Sequence, residues 1–125
     1  MHKVRIGFIG VGSMGQCAHL KNYAIIPDCE VVAIAEIQQE LGQRVAARYG
    51  VPKVYGSHEE LLAGEQVDAL VAAQPFTRHG TLLPQLIEAG VPLFTEKPLA
   101  GSVEAGEKII AALAKSGTWH MLGYH

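Results

Sequence analysis

The chain has 125 residues, enough for one domain with a real core. Hydrophobic residues make up 49% and charged residues 18%, which excludes a disordered chain. A formal net charge of −2 gives neither nucleic acid nor an anionic membrane a reason to bind.

The predicted elements alternate along the chain. "KVRIGFIG" (3–10) is a β-rich run ending in glycine, and "SMGQCAHLKNYAII" (13–26) follows as a helix. "CEVVAIAE" (29–36) is a second strand, and "QQELGQRVAARYG" (38–50) a second helix with Gly50 closing it. "KVY" (53–55) is a short strand, and "SHEELLAG" (57–64) opens as a capping box of Ser57 and Glu60. "VDALVAA" (67–73) reads as a buried strand. "RHGTLLPQLIEAG" (78–90) is helical in pattern, but Pro84 fits only a first turn, so the expected start is near Leu82. "VPLFTEK" (91–97) is a strand, "SVEAGEKIIAALAKSG" (102–117) a strong helix, and "WHMLGY" (119–124) a last strand.

Strands separated by helices imply right-handed crossovers and a parallel sheet. The strands lack strict polar alternation, as expected when helices cover both faces. The fold class is α/β: one doubly wound parallel sheet over residues 1–125.

Two cysteines, Cys17 and Cys29, are too few for a disulfide framework and read as buried thiols. The six histidines do not cluster, so no metal site is expected. There is no signal-peptide pattern and no apolar run of bilayer length, which makes a cytoplasmic protein the default expectation.

"GFIGVGSMGQ" (7–16) contains Gly10, Gly12 and Gly15 in G-x-G-x-x-G spacing. Alone the motif is weak in a chain with 14 glycines. Here it follows a strand, opens a helix, and has Glu36 at the end of the next strand. Gly10 allows the sharp turn, Gly12 lets backbone approach a pyrophosphate, and Gly15 lets helix pack on sheet. The amides of Ser13, Met14 and Gly15 would face the anion at the helix start. Glu36 can accept hydrogen bonds from ribose hydroxyls and would repel a 2′-phosphate. Ile37, Gln38 and Gln39 follow it without an arginine, and Arg44 lies two turns on. NAD is therefore favoured over NADP.

"LFTEKPLAG" (93–101) is the second informative stretch. Pro98 pushes Lys97 to an extended conformation at the carboxyl end of a strand, where ligands of open α/β sheets bind. Strand alternation would send Glu96 and Lys97 to opposite faces. A lysine there can hold a substrate hydroxyl and stabilise alkoxide character. The alternative is a surface lysine paired with a carboxylate.

Together, "RIGFIGVGSMG", "VVAIAE", "VAAQPFTRHG", "LFTEKPLA" and "MLGYH" resemble the glucose–fructose oxidoreductase, inositol dehydrogenase and rhizopine-catabolism (Gfo/Idh/MocA) family along the whole chain. The resemblance implies a Rossmann domain of an NAD(P)-linked dehydrogenase of sugars, polyols or cyclitols. It assigns pyrophosphate to Gly10, Gly12 and Gly15, and ribose to Glu36. It lays Ala73, Gln74, Pro75 and Phe76 along the cofactor, with His79 beside them. Gln74 stands where the family usually has threonine. Glu96 and Lys97 reach the nicotinamide side, Lys97 also touching substrate as the catalytic residue. The family's second α/β domain, which roofs the active site and carries most of the oligomer contacts, is absent here. The chain thus reads as the cofactor half, incomplete at its C-terminal end, of a homo-oligomeric parent whose small-molecule substrate is bound by the missing domain. By itself it should be inactive. The competing reading is a non-catalytic NAD-binding regulatory or interaction module; redox-neutral elimination using bound NAD is a third.

Overall fold

Six short apolar runs become the strands of a single sheet. The computed structural model describes residues 2–12 and 15–124. The strands are β1 (Val4–Ile9), β2 (Cys29–Ala35), β3 (Lys53–Tyr55), β4 (Ala69–Ala72), β5 (Leu93–Glu96) and β6 (His120–Gly123). All pair in parallel, in the order β3-β2-β1-β4-β5-β6. The order reverses direction between β1 and β4, the switch point of a doubly wound sheet.

Strand β2 carries an irregularity that the sequence pattern hides. Ile6 pairs with Val31 and Gly7 with Ala33, so Val32 is an extra residue in the ladder. That bulge puts Val32 and Ala33 into the same apolar cluster, while Val31 and Ile34 join the other. It is one reason why this strand shows no clean period of two.

The helices cover the two faces unequally. A π-wound segment (Gly15–Leu20) runs into the short α1 (Lys21–Tyr23), and α2 (Gln39–Tyr49) follows β2. Leu20 and Tyr23 of this segment and Val45 of α2 pack with Phe8 and Ile34 on one face. Helices α3 (His58–Gly64), α4 (His79–Ile87) and α5 (Val103–Ser116) pack on the other, through Leu61, Leu83, Leu86 and Ile109. Cys29 is buried, and burial together with neighbouring Asp28 raises its thiol pKa. The Cys17 side chain lies outside the described part of the structure.

Local signals set several helix ends. Gly50 takes a left-handed conformation (φ 71°) and closes α2 on the Ala46 carbonyl. Ser57 Oγ accepts from the Glu60 amide at 3.2 Å. The returning bond from Glu60 Oε2 accepts from Gly56, at 3.1 Å, one residue upstream of the expected cap. Ser102 caps α5 by accepting from the Ala105 amide.

Two helices depart from expectation. The first is π-wound over Gly15–Leu20 where a regular helix was expected. Helix α4 starts at His79 rather than near Leu82, after a 3-10 turn at Phe76–Arg78. Pro84 therefore sits inside α4, where a proline costs about 3 kcal/mol. Leu82, Leu83, Leu86 and Ile87 are all at most 3% exposed. Burying each contributes about 1.5–3 kcal/mol, so the apolar face outweighs the proline.

At the N-terminal edge of the sheet, Glu65 joins three elements. Its Oε1 lies 3.0 Å from Lys53 Nζ and accepts from the Tyr55 hydroxyl at 2.9 Å, while Oε2 lies 3.2 Å from Arg5 Nη2. The hydrogen bond from Lys53, then Tyr55 and the charges of Lys53 and Arg5, hold the Glu65 pKa below its ordinary value against the opposing effect of burial.

Candidate functional site

The C-terminal ends of β1, β2, β4 and β5 meet at the switch point. After β1 the chain turns at Gly10, which has φ +89° and donates its amide to the Ala35 carbonyl at 2.9 Å. A Cβ there would lie 2.5 Å from Gln74 Nε2 and 3.1 Å from the Ala73 carbonyl oxygen. Glycine is thus required twice, for backbone angle and for space. Gly12 differs: a Cβ built on it would meet nothing within 4 Å, and the residue lines an open cleft. No described neighbour explains a glycine at Gly12, whereas a ligand lying against the loop would. Ser13 and Met14 lie outside the described residues. Gly15 begins the π-wound segment.

Glu36 immediately follows β2 and holds two backbone amides. Oε1 accepts from Val11 N–H and Oε2 from Gln38 N–H, both at 3.0 Å. One carboxylate therefore ties the glycine loop to the start of α2, and each oxygen keeps a lone pair for a further donor. Beside it is a cleft of about 120 Å³ lined by Glu36, Ile37, Ser57, His58, Gln74 and Arg78 among others.

A second cleft, of about 380 Å³, is lined by Gly12, Ala73, Gln74, Pro75, Phe76, Glu96 and Lys97. Gln74 borders both clefts. Its Oε1 accepts from Arg78 Nη1 at 3.1 Å. Arg78, remote from Glu36 in the chain, lines the same cleft as Glu36.

Lys97 lies one residue past β5, and its peptide bond to Pro98 is cis. Strand alternation stops at Glu96, so Glu96 and Lys97 line one cleft rather than opposite faces. Lys97 is exposed and makes no ion pair or hydrogen bond with any described residue. The carboxylate partner of a merely structural surface lysine is not there among the described residues.

Glu96 is held from across the sheet. His19 Nε2 lies 2.6 Å from Glu96 Oε1, with side-chain exposures of 14% and 19%. The His19 ring stands edge-on to Phe94, centroids 5.1 Å apart. Sequence reading missed His19, because 77 residues separate it from Glu96 and nothing local marks it.

His79 lies beneath the clefts, not on their lining. It is fully buried, and its Nδ1 is 2.8 Å from the Leu99 carbonyl oxygen, two residues past Lys97. As carbonyl oxygens only accept, Nδ1 carries the proton and donates. His79 thereby anchors the turn that follows Lys97. Nearby, His120 Nε2 is 2.7 Å from Thr95 Oγ1. Burial, and secondarily His79, lower the His120 pKa.

Residues 4–124 match the family described as "Oxidoreductase family, NAD-binding Rossmann fold", Gfo/Idh/MocA. The chain belongs to the Gfo/Idh/MocA family. Its relatives in that family include "Inositol 2-dehydrogenase 1" of Saccharopolyspora erythraea, 35% identical over 97% of this chain and 36% of the relative. The "Inositol 2-dehydrogenase/D-chiro-inositol 3-dehydrogenase" of Shouchella clausii is 33% identical over 87% of this chain and 32% of the relative. Among solved structures, the WlbA dehydrogenase from Bordetella pertussis, in complex with NADH and UDP-GlcNAcA, superposes with a TM-score of 0.89. It is 27% identical, over 98% of this chain and 37% of that one. A putative dehydrogenase from Bordetella bronchiseptica gives a TM-score of 0.91 at 27% identity, over 98% of this chain and 32% of that one. The chain thus spans about a third of the length of these Gfo/Idh/MocA proteins. The described part contains no helix long and apolar enough to cross a membrane.

Proposed function

We propose that this chain is the dinucleotide-binding half of an NAD-dependent dehydrogenase that oxidises a secondary hydroxyl of a cyclitol, sugar or related polyol. The observation that carries the reading is the cleft at the switch point, which gathers Gly12, the 73–76 loop, Glu96 and Lys97 into about 380 Å³. The inositol dehydrogenases among the relatives point to cyclitols as the first substrates to try.

Gly10, Gly12 and Gly15, with the amides of Ser13 and Met14, hold the pyrophosphate. Glu36 accepts from the adenosine ribose through the lone pairs left by Val11 and Gln38. A carboxylate in that position repels a 2′-phosphate, which favours NAD over NADP. Arg78 is the opposing cation, and Gln74 Oε1 occupies it. The 73–76 loop, packed above the buried His79, lies along the cofactor. Glu96 faces the nicotinamide-side ribose.

The nicotinamide supplies the hydride acceptor. Lys97 would hold the substrate oxygen by hydrogen bond and stabilise the negative charge that grows on it as its proton passes to a base supplied outside these residues. Hydride transfer also needs reactants held in place and water kept out. Lys97 is exposed in an open cleft. The remaining two-thirds found in relatives would supply the roof.

Titration of the chain with NADH, followed by nicotinamide fluorescence, tests the reading. Saturable binding, weaker for NADPH, is expected; absence of binding overturns it. Steady NADH production from myo-inositol by these 125 residues alone would contradict the need for a roof.

A further inference from the structure

The contact between His19 and Glu96 joins parts of the site that are separate in the chain. His19 lies on the helical segment that the glycine loop feeds, and Glu96 ends β5 on the far side of the switch point. At 2.6 Å, with a carboxylate that only accepts, Nε2 must donate the proton. Both side chains are mostly buried, so the bond is shielded from water and strengthened.

The surroundings leave this pair little freedom. Phe94 packs edge-on against the His19 ring. On its other side, a Cβ on Gly123 would come within 2.8 Å of Phe94 Cζ and 3.5 Å of Glu96 Oε1. The phenyl ring is wedged between α1's lead-in segment and β6. The π-wound turn over Gly15–Leu20 sets where His19 emerges, and such turns re-aim side chains relative to a regular helix.

From this geometry we infer that His19 is a positioning residue: it fixes Glu96 through Oε1 and leaves Oε2 to accept from the hydroxyls of the nicotinamide-side ribose. The inference rests on the dinucleotide reading above and deepens it. It also gives the two halves of the sheet a direct link. The segment that begins at the glycine turn thereby orients the carboxylate next to Lys97, at the end of the cleft away from Glu36.

The test compares two amides of different reach. Gln places its Nε2 near the position of histidine Nε2; Asn is too short to reach Glu96. NADH and ADP are titrated against wild type, His19→Gln and His19→Asn. ADP carries adenosine and pyrophosphate but no second ribose. His19→Asn is expected to weaken NADH by about tenfold or more, the scale of one hydrogen bond to a charged group, while ADP stays within about twofold. His19→Gln should restore most of the NADH affinity. In a Glu96→Ala background, His19→Asn should add no further loss. Equal losses for both ligands, no loss of NADH, failure of Gln to rescue, or an additive loss in the double variant would each overturn the inference. ADP binding by His19→Asn also reports that the variant is folded. If wild type binds neither ligand, the dinucleotide reading itself falls and takes this inference with it.

Discussion

Glu36 Oε1 accepts a hydrogen bond from the Val11 amide at 3.0 Å, so the acidic tip of β2 and the glycine loop are one unit. Removing the carboxylate therefore has two consequences, one for the loop and one for cofactor choice. Glu36→Ala is expected to weaken NADH binding by about tenfold or more, since a hydrogen bond to a charged group contributes roughly 1.5–3 kcal/mol. It should also narrow the preference for NADH over NADPH, because Arg78 remains while the repelling charge is gone. Paired titrations with NADH and NADPH check this; an unchanged ratio would detach Glu36 from cofactor choice.

The two glycines of the turn separate folding from binding. Gly10→Ala meets both a positive φ and a backbone carbonyl at 3.1 Å, so it should lose about 1–3 kcal/mol of stability. Gly12→Ala meets nothing within 4 Å and should unfold within about 0.5 kcal/mol of wild type. Its NADH affinity should nevertheless fall by about tenfold, because the added methyl enters the space proposed for the pyrophosphate. Denaturant melts alongside NADH titrations distinguish the two; equal stability losses would contradict the geometry.

Lys97 has no structural partner among the described residues, so its removal should cost little stability. In a full-length protein carrying this domain, Lys97→Ala is expected to lower kcat by about a hundredfold or more, the scale of one transition-state donor, with NAD affinity close to wild type. Turnover that survives the substitution would favour the non-catalytic binding module.

Acid should loosen the N-terminal edge of the sheet through Glu65. Its folded pKa is lowered, chiefly by the hydrogen bond from Lys53, so the unfolded chain takes up the proton more readily. The Glu65 contribution is fully present above the ordinary glutamate value, about 4.3, and is lost as pH falls through the lower folded value. Lys53 is 59% exposed, so salt screens much of this pair. Glu65→Gln should be less stable than wild type near neutral pH, and the gap should close as pH falls below the ordinary glutamate value. Urea melts across that range read the difference directly; a constant gap would refute the ionic origin.

Pro84 is a local cost within α4, and Pro84→Ala should recover part of it. An N–H at that position can bond the Gly80 carbonyl, and a stability gain of about 1–3 kcal/mol is expected. A thermal melt with no rise in Tm would mean that the helix start, not the proline, limits α4.

Period and punctuation determined the sheet. Apolar runs alternating with amphipathic ones require covered parallel strands, and glycines and serines mark many of the helix ends, as Gly50, Ser57 and Ser102 do. The same local grammar located the glycine turn after β1, Glu36 just past β2 and the Glu96–Lys97 end of β5. These features are short-range, because each depends on backbone conformation or on residues a few positions apart. Val32's bulge, the burial of His79, the cleft shared by Arg78 and Glu36 and the pairing of His19 with Glu96 depend instead on where strands land beside one another. Side chains remote in the chain meet only after the crossovers close, and packing rather than propensity chooses which of them touch. For the same reason α4 keeps Pro84: a face of buried leucines formed by tertiary contact outweighs a rule that holds for the isolated helix.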